Sequence, residues 1–376
     1  MPQTVTASSE DLLAELANWV RTETPTTDPA AVNRLMDMAE ANLREAGAVL
    51  TRIPGVDGYG DNLIARTPGA SNMKPIVVSC HLDTVWSHGT LDTMPFTVDG
   101  DKAHGPGIYD MKAGSFIACH VLSAILRQNI ATRRPITLLL TPDEEVGSPT
   151  SRAVIEREAQ GAACVLIMEP AAADGACVTA RKGVGRFTLK VTGKGSHAGS
   201  AYQDGASAVV ELAHQILAIE KLVDVAGGVT LNVAPIMGGT RPNVIPAEAG
   251  CEIDLRVPDA AVAARMEKAV LSLKPRNPAC TVLVEGGMNR PPFAENPDIA
   301  GMYEKARALA AEIGFNLPKQ SRGGGSDGNF SAALGIPTLD GLGCPGAGAH
   351  ASHEHIQWRQ LGPRAALLAA LLETLD

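Results

Sequence analysis

Aromatic residues make up only 3% of this chain and charged residues 19%, lysine and arginine form no cluster, and no apolar run is as long as a membrane span. Each shortage removes a class of function. Few aromatics leave little for base stacking, and a net charge of −9 without a basic patch gives no electrostatic footprint for nucleic acid. A spanning helix needs about 20 consecutive apolar residues, so no membrane association is expected. The start, Met1 to Val20, is polar and then amphipathic, without the basic, apolar and small-residue order of a secretory signal, which makes the cytoplasm the expected location. The seven cysteines (80, 119, 164, 177, 251, 280 and 344) are scattered, odd in number and never in Cys-x-x-Cys. That pattern predicts reduced core thiols, neither a disulfide framework nor a thiolate zinc site. Any metal must then be held by histidine and carboxylate.

What is present is apolar sequence in abundance. With 45% hydrophobic residues over 376 positions, the chain can bury a large core and build two domains. Helical periodicity over about Glu10 to Arg21, Pro29 to Ala46 and Lys112 to Gln128 alternates with apolar strands at Asn62 to Ala65, Ile76 to Leu82, Ile136 to Leu140 and Val165 to Met168. This alternation predicts an α/β sheet covered on both faces, with the site at the carboxyl ends of its strands. His81, Glu144, Glu145 and Glu169 all follow such runs. From Gly183 the order changes to strand (Arg186 to Val191), helix (Ala206 to Val223), strand (Val229 to Val233), strand (Cys251 to Val257), helix (Ala260 to Leu273) and strand (Thr281 to Glu285). That is the β-α-β-β-α-β order of a ferredoxin-like unit. An inserted domain is therefore expected at 182–289, between two parts, 1–181 and 290–376, of one α/β domain.

The chemistry-bearing residues lie at the expected strand ends. The pair in Thr141-Pro-Asp-Glu144-Glu145-Val-Gly follows an apolar run, and adjacent carboxylates there can divide labour, one holding a metal while the other moves a proton. In His81-Leu-Asp83 both side chains fall on one face of an extended segment, so imidazole can bind a metal while the carboxylate fixes its tautomer. Alone, the tripeptide reads better as a core histidine beside a turn aspartate, since short motifs recur by chance. Asp110, at a glycine-rich turn entering a helix, reads locally as an N-cap, and Glu169 before Pro170 as a surface acid.

Taken together the motifs say more. His81-x-Asp83, Asp110-Met-Lys-Ala-Gly, Asp143-Glu144-Glu145-x-Gly, Glu169-Pro170, Gly195-Ser-His197-Ala-Gly and His350-x-x-x-Glu354 resemble, in order and spacing, the zinc-dependent peptidase and aminoacylase family. That family contains folate-hydrolysing glutamate carboxypeptidases, acetylornithine deacetylases and succinyl-diaminopimelate desuccinylases. Gly323-Gly-Gly-Ser-Asp-Gly328 and Gly341-Leu-Gly-Cys-Pro-Gly-Ala-Gly-Ala-His350 point to its glutamate carboxypeptidase branch. The resemblance implies a mixed-sheet α/β catalytic domain with an inserted ferredoxin-like dimerisation, or lid, domain. It also implies two zinc ions per subunit, with Co2+ or Mn2+ as substitutes. Asp110 would bridge them, His81 and Glu169 would hold one, and Glu145 and His350 the other. In this pattern Glu144 is the general base and Asp83 the partner of His81. Met111 stands where the family often has a second acid, and His353 and His355 fall outside the spacing that selects His350.

Substrate residues follow from the same resemblance. His197 corresponds to an oxyanion-stabilising residue lent across a homodimer, although by itself it reads as a turn histidine. Asn243 corresponds to another substrate contact of the inserted domain, and otherwise reads as a turn residue. Arg290 stands where the related carboxypeptidase binds a terminal carboxylate, a task suited to a bidentate guanidinium. Gly323, Gly325 and Gly328 satisfy G-x-G-x-x-G, but a polar segment precedes them and no acid lies about 20 residues beyond to hold a ribose. The turn is better read as offering Gly324, Gly325 and Ser326 to a substrate carboxylate. The expected enzyme releases an amino acid from a small N-acyl amino acid or peptide. An aminoacylase, a deacetylase or a dipeptidase is the alternative, and a non-catalytic metal-dependent binding protein a remote one.

Overall fold

Strands Ile76–His81, Ile136–Thr141 and Cys164–Ile167 are buried along their whole length, which is why they appear in the sequence as unbroken apolar runs without alternation. The computed structural model describes residues 7–69 and 72–376. Its contacts divide the chain into two units. One runs to Ala180 and resumes over Glu295–Ser321 and Ser326–Asp376, and the other comprises Arg181–Ala294 with Arg322–Gly325.

The first unit is built on a six-stranded sheet in the order Val49–Ile53, Asn62–Arg66, Ile136–Thr141, Ile76–His81, Cys164–Ile167, Thr338–Leu339. The last four are parallel and the first two antiparallel to their neighbours, so the sheet is mixed. Successive residues of a strand feed opposite cores. Leu138 and Leu140 join Leu16, Leu35, Ile117, Val121 and Leu368 on one face, while Leu139 joins Ile64, Ile155 and Phe330 on the other. Helices Ser9–Arg21 and Pro29–Glu45 begin where Ser8 and Asp28 accept backbone N–H groups, and a proline opens the second. Helix Ala113–Arg127 comes so near the sheet that a Cβ on Gly114 would lie 1.9 Å from the Met168 carbonyl oxygen. The glycine of the Asp110-Met-Lys-Ala-Gly motif is therefore a packing requirement. Among the described residues, no helix is long and apolar enough to cross a membrane.

The second unit has the β-α-β-β-α-β order the sequence predicts, with an antiparallel sheet ordered Thr230–Gly238, Glu248–Val257, Gly183–Thr192, Thr281–Arg290. Its two central strands, Gly183–Thr192 and Glu248–Val257, extend beyond their apolar runs, because along most of their length buried residues alternate with more exposed ones. Phe187, Leu189 and Val191 point inward with Ile253 and Leu255 against Leu212 and Ile219 of helix Ala208–Glu220 and Met266 and Val270 of helix Ala260–Leu271. The helices thus cover one sheet face, as in a ferredoxin-like fold.

Candidate metal centre

Three parallel strands end in polar residues at the same edge of the sheet. His81 is the last residue of its strand, Glu144 and Glu145 open a short 3-10 turn after Thr141, and Glu169 follows Ile167 by two residues. Asp110 comes from the irregular turn Ile108–Lys112, with φ −113° and ψ 98°, before the helix begins at Ala113. Its carboxylate caps no helix. One oxygen, Oδ1, lies 3.3 Å from His81 Nε2, and the other, Oδ2, lies 3.4 Å from His350 Nε2. His81 Nε2 is also 3.6 Å from Glu169 Oε1, and His350 Nε2 is 3.0 Å from Glu145 Oε2. Two donor triads result, His81–Asp110–Glu169 and Asp110–Glu145–His350, each with its ligand atoms within 4.8 Å of one another. Asp110 belongs to both.

The residues fit a pair of divalent cations. His81 Nε2 and Glu145 Oε1 are buried without a hydrogen-bond partner, a costly condition unless a ligand takes them up. Imidazole nitrogen and carboxylate oxygen are donors that zinc accepts. Protonation tells the same story. Burial raises the Asp110 carboxyl, but the His350 and His81 rings outweigh it and hold it below the ordinary carboxylate range. Glu145 is pushed up to about 8, by burial first and then by the Asp110 charge, against the pull of His350. Asp110 and Glu145 in turn raise His350 to about 10. Carboxylates this close need positive charge between them, and protons supply it where cations do not.

Around the triads lies a bracing layer. His81 Nδ1 sits 3.0 Å from the Asp83 carbonyl and 3.3 Å from Asp83 Oδ1, so that nitrogen carries the proton and the Nε2 lone pair faces Asp110 and Glu169. The Asp83 carboxylate also accepts the N–H groups of Glu144 and Glu145 at 3.2 Å and the Thr26 hydroxyl at 2.8 Å, tying the glutamate turn to the histidine. Glu354 is fully buried. It accepts Trp86 Nε1 at 2.7 Å and the backbone N–H groups of Gly107 at 2.9 Å, Tyr109 at 2.9 Å and Asp110 at 3.0 Å. The glutamate of the His-x-x-x-Glu spacing therefore shapes the turn that presents Asp110, although the sequence shows only its distance from His350. Lys112 is a motif residue to which the sequence assigned no role. Its buried amine, lowered to about 7 by burial against the pull of Glu354 and Glu23, donates to the Thr22 carbonyl.

Of the clustered histidines, His350 alone reaches a triad. Its backbone is left-handed at φ 61°, and it follows a stretch of small residues ordered by strand pairing of Gly346–Ala347 with His355–Gln357. His355 bonds its own strand's His353 carbonyl and lies 5.2 Å from the His104 ring.

The candidate substrate residues fall mostly in the second unit. His197 pairs with Val244 in a short ladder, and the Asn243 carbonyl accepts the Ala198 N–H at 3.0 Å, so the two are neighbours and both are exposed. His197 Nδ1 accepts N–H groups from Gly199 and Ser200 at 3.1 Å, which leaves the proton on Nε2. Arg290 ends its strand buried at 4% exposure, and its side chain packs so tightly on Gly325 that a Cβ there would come within 2.6 Å of Arg290 Cδ. The carbonyls of Gly324 and Gly325 accept from Arg181 Nη1. Ser326 lies in the first unit, fully buried. Its hydroxyl donates to Asp340 at 2.6 Å and its N–H to Asn329 at 2.9 Å, so its polar groups brace the fold.

An α/β scaffold with a shared-carboxylate pair of donor triads at its strand ends is the form of a metal-dependent hydrolase. The model of peptidase family M20/M25/M40 matches residues 77–374, and the chain belongs to that family. It is 32% identical to carboxypeptidase G2 of a Pseudomonas species (strain RS-16), over 98% of this chain and 90% of that protein. It is also 31% identical to acetylornithine deacetylase of Myxococcus xanthus, over 56% of this chain and 58% of that one. Aminopeptidase PepT of Bacillus cereus has the same fold, with a TM-score of 0.77 at 23% identity over 97% of this chain and 98% of that one.

Proposed function

We propose that the protein is a two-zinc carboxypeptidase or amidohydrolase that cleaves an amide bond to release an amino acid with a free α-carboxylate, glutamate first among the candidates. The observation that carries this reading is the sharing of Asp110 by the two triads. Bound ions would polarise the scissile carbonyl and lower the pKa of water at the centre. Glu144, beside the ligand Glu145 and held by its N–H to Asp83, takes the proton of the attacking water and passes it to the leaving nitrogen. His197, with its proton on Nε2, donates to the carbonyl oxygen as charge develops there. Arg290 and the N–H groups of Gly324 and Gly325 receive the substrate's terminal carboxylate, and Asn243 stands beside His197.

We further read the protein as a homodimer that lends His197 to a second copy. Exposed Ile236 and Met237 lie on the edge strand Thr230–Gly238, and exposed Val209 of helix Ala208–Glu220 abuts Gly238, giving an apolar edge suited to pairing with itself. A cytoplasmic location belongs to the same reading, in keeping with seven free and buried cysteines.

Amino-acid release from a panel of N-acyl amino acids and dipeptides, measured with zinc and with a chelator, tests the reaction. Preferential zinc-dependent release from substrates ending in glutamate supports it; activity untouched by exhaustive chelation refutes it. The similarity to acetylornithine deacetylase favours a second reading, in which short N-acyl groups are removed. Turnover confined to N-acetyl substrates with basic side chains would select that one.

A further inference from the structure

The glycine-rich segment Gly323 to Gly328 carries an aspartate for which neither the metal centre nor the substrate reading has a use. Asp327 is buried at 4% exposure. Its Oδ1 accepts the Ser148 hydroxyl at 2.5 Å, and its Oδ2 lies 3.4 Å from the Thr141 hydroxyl, a weaker contact that Thr141 shares with the Cys80 carbonyl at 3.3 Å. Thr141 ends the strand before the glutamate turn and Ser148 closes the turn behind it. Glu144 and Glu145 lie between these two anchors.

Ser148 has a left-handed backbone, φ 58°, directly after Gly147 at φ 100°. A residue with a side chain adopts that region only when its surroundings impose it. Here the imposition is complete. The Ser148 hydroxyl goes to Asp327, its N–H to the Asp143 carbonyl at 2.9 Å, and its carbonyl accepts from Arg152 N–H at 3.0 Å. Since Gly147 N–H closes the turn onto the Glu144 carbonyl at 2.8 Å, where Ser148 is held determines where the two glutamates stand.

We propose that Asp327 is a positioning residue: through Ser148 it fixes the turn that aims Glu145 at the second triad and Glu144 at the reacting water. It belongs to neither donor triad. The inference rests on the two-ion reading above and sharpens it, because the effect is one-sided. His81 and Glu169 come from other strands, and His81 meets the glutamate turn through Asp83 alone among its named partners, so the first triad should lose less than the second.

The test is a Co2+ titration of the full-length protein after chelation, followed by calorimetry and visible absorption, for wild type, Asp327→Ala, Asp327→Asn, Ser148→Gly and the double variant Asp327→Ala/Ser148→Gly. Supporting residues of metal ligands change affinity by about 10- to 100-fold, so Asp327→Ala should weaken one of two binding steps by at least about tenfold and leave the other nearly unchanged. Asp327→Asn keeps an oxygen for the Ser148 hydroxyl and should restore most of the loss. Ser148→Gly accepts the left-handed backbone and so retains the fold, yet removes the same bond; it should reproduce Asp327→Ala, and the double variant should be no worse than either. With an amide substrate, kcat should fall while KM holds. Equal weakening of both steps, no weakening, or additive losses in the double variant overturn the proposal. A wild type that binds two ions but hydrolyses no amide would overturn the reaction assigned above, while the titration would still decide the role of Asp327.

Discussion

Replacing Glu354 with glutamine changes one atom and should disturb the metal centre from behind. In the native protein each carboxylate oxygen takes two donors, Oε1 the N–H groups of Tyr109 and Asp110, and Oε2 those of Gly107 and the Trp86 indole. Glutamine has one oxygen and one NH2 group. Whichever way it turns, two donors lose their acceptor and face another donor in a site closed to water. A buried hydrogen bond to a charged group is worth about 1.5–3 kcal/mol, so the loss should be about 3–6 kcal/mol, a large part of the 5–15 kcal/mol by which a typical protein is stable. If the first unit instead relaxes to feed those donors, the Gly107 to Asp110 turn must move, and Asp110, shared by both triads, carries the damage into both of them. The assay is available in the sequence, because the three tryptophans, Trp19, Trp86 and Trp358, all lie in the first unit. Guanidinium unfolding followed by tryptophan fluorescence reads that unit alone, and metal titration reads the second outcome. A stability change under about 1 kcal/mol together with unaltered affinity at both sites would refute the reasoning.

Three further outcomes are expected. Glu144→Gln should lower kcat by orders of magnitude and still retain two metal ions by elemental analysis, whereas Glu145→Gln should lose metal as well as rate; near-normal turnover in the first would remove Glu144 as the base. His350→Ala should weaken one metal site, while His353→Ala and His355→Ala leave the metal content as it was, and a deficit confined to the His353 variant would move the ligand. Mixing His197→Ala with Glu144→Gln should restore part of the activity after subunit exchange, since a mixed dimer with shared sites has one site carrying both defects and one carrying neither; confirmed exchange without recovery would place His197 outside the partner's site.

What the sequence reveals about this centre follows from how each ligand is placed. His81, the glutamate pair and Glu169 are legible because parallel strands buried on both faces are unbroken apolar runs, and a polar residue at the end of such a run stands out. The edge strand Val49–Ile53 is not legible in the same way: partly exposed and carrying Thr51 and Arg52, it has no run to see, and the mixed sheet is expected from the family resemblance and not from this strand's own pattern. Distance along the chain hides more. Glu354 and the Asp110 turn are 244 residues apart, and Asp327 and Ser148 are 179 apart; no local pattern can join them. Each of these acids also looks like an ordinary loop residue, because its partners are backbone N–H groups or a serine hydroxyl, which leave no mark in the sequence. The candidate ligands at strand ends are thus visible through their strands, whereas the residues that aim them are visible only through their bonds. The same division explains why Ser326 reads as a substrate contact in a glycine-rich turn: composition shows that the turn is there, and only the Asp340 and Asn329 bonds show that its serine faces inward.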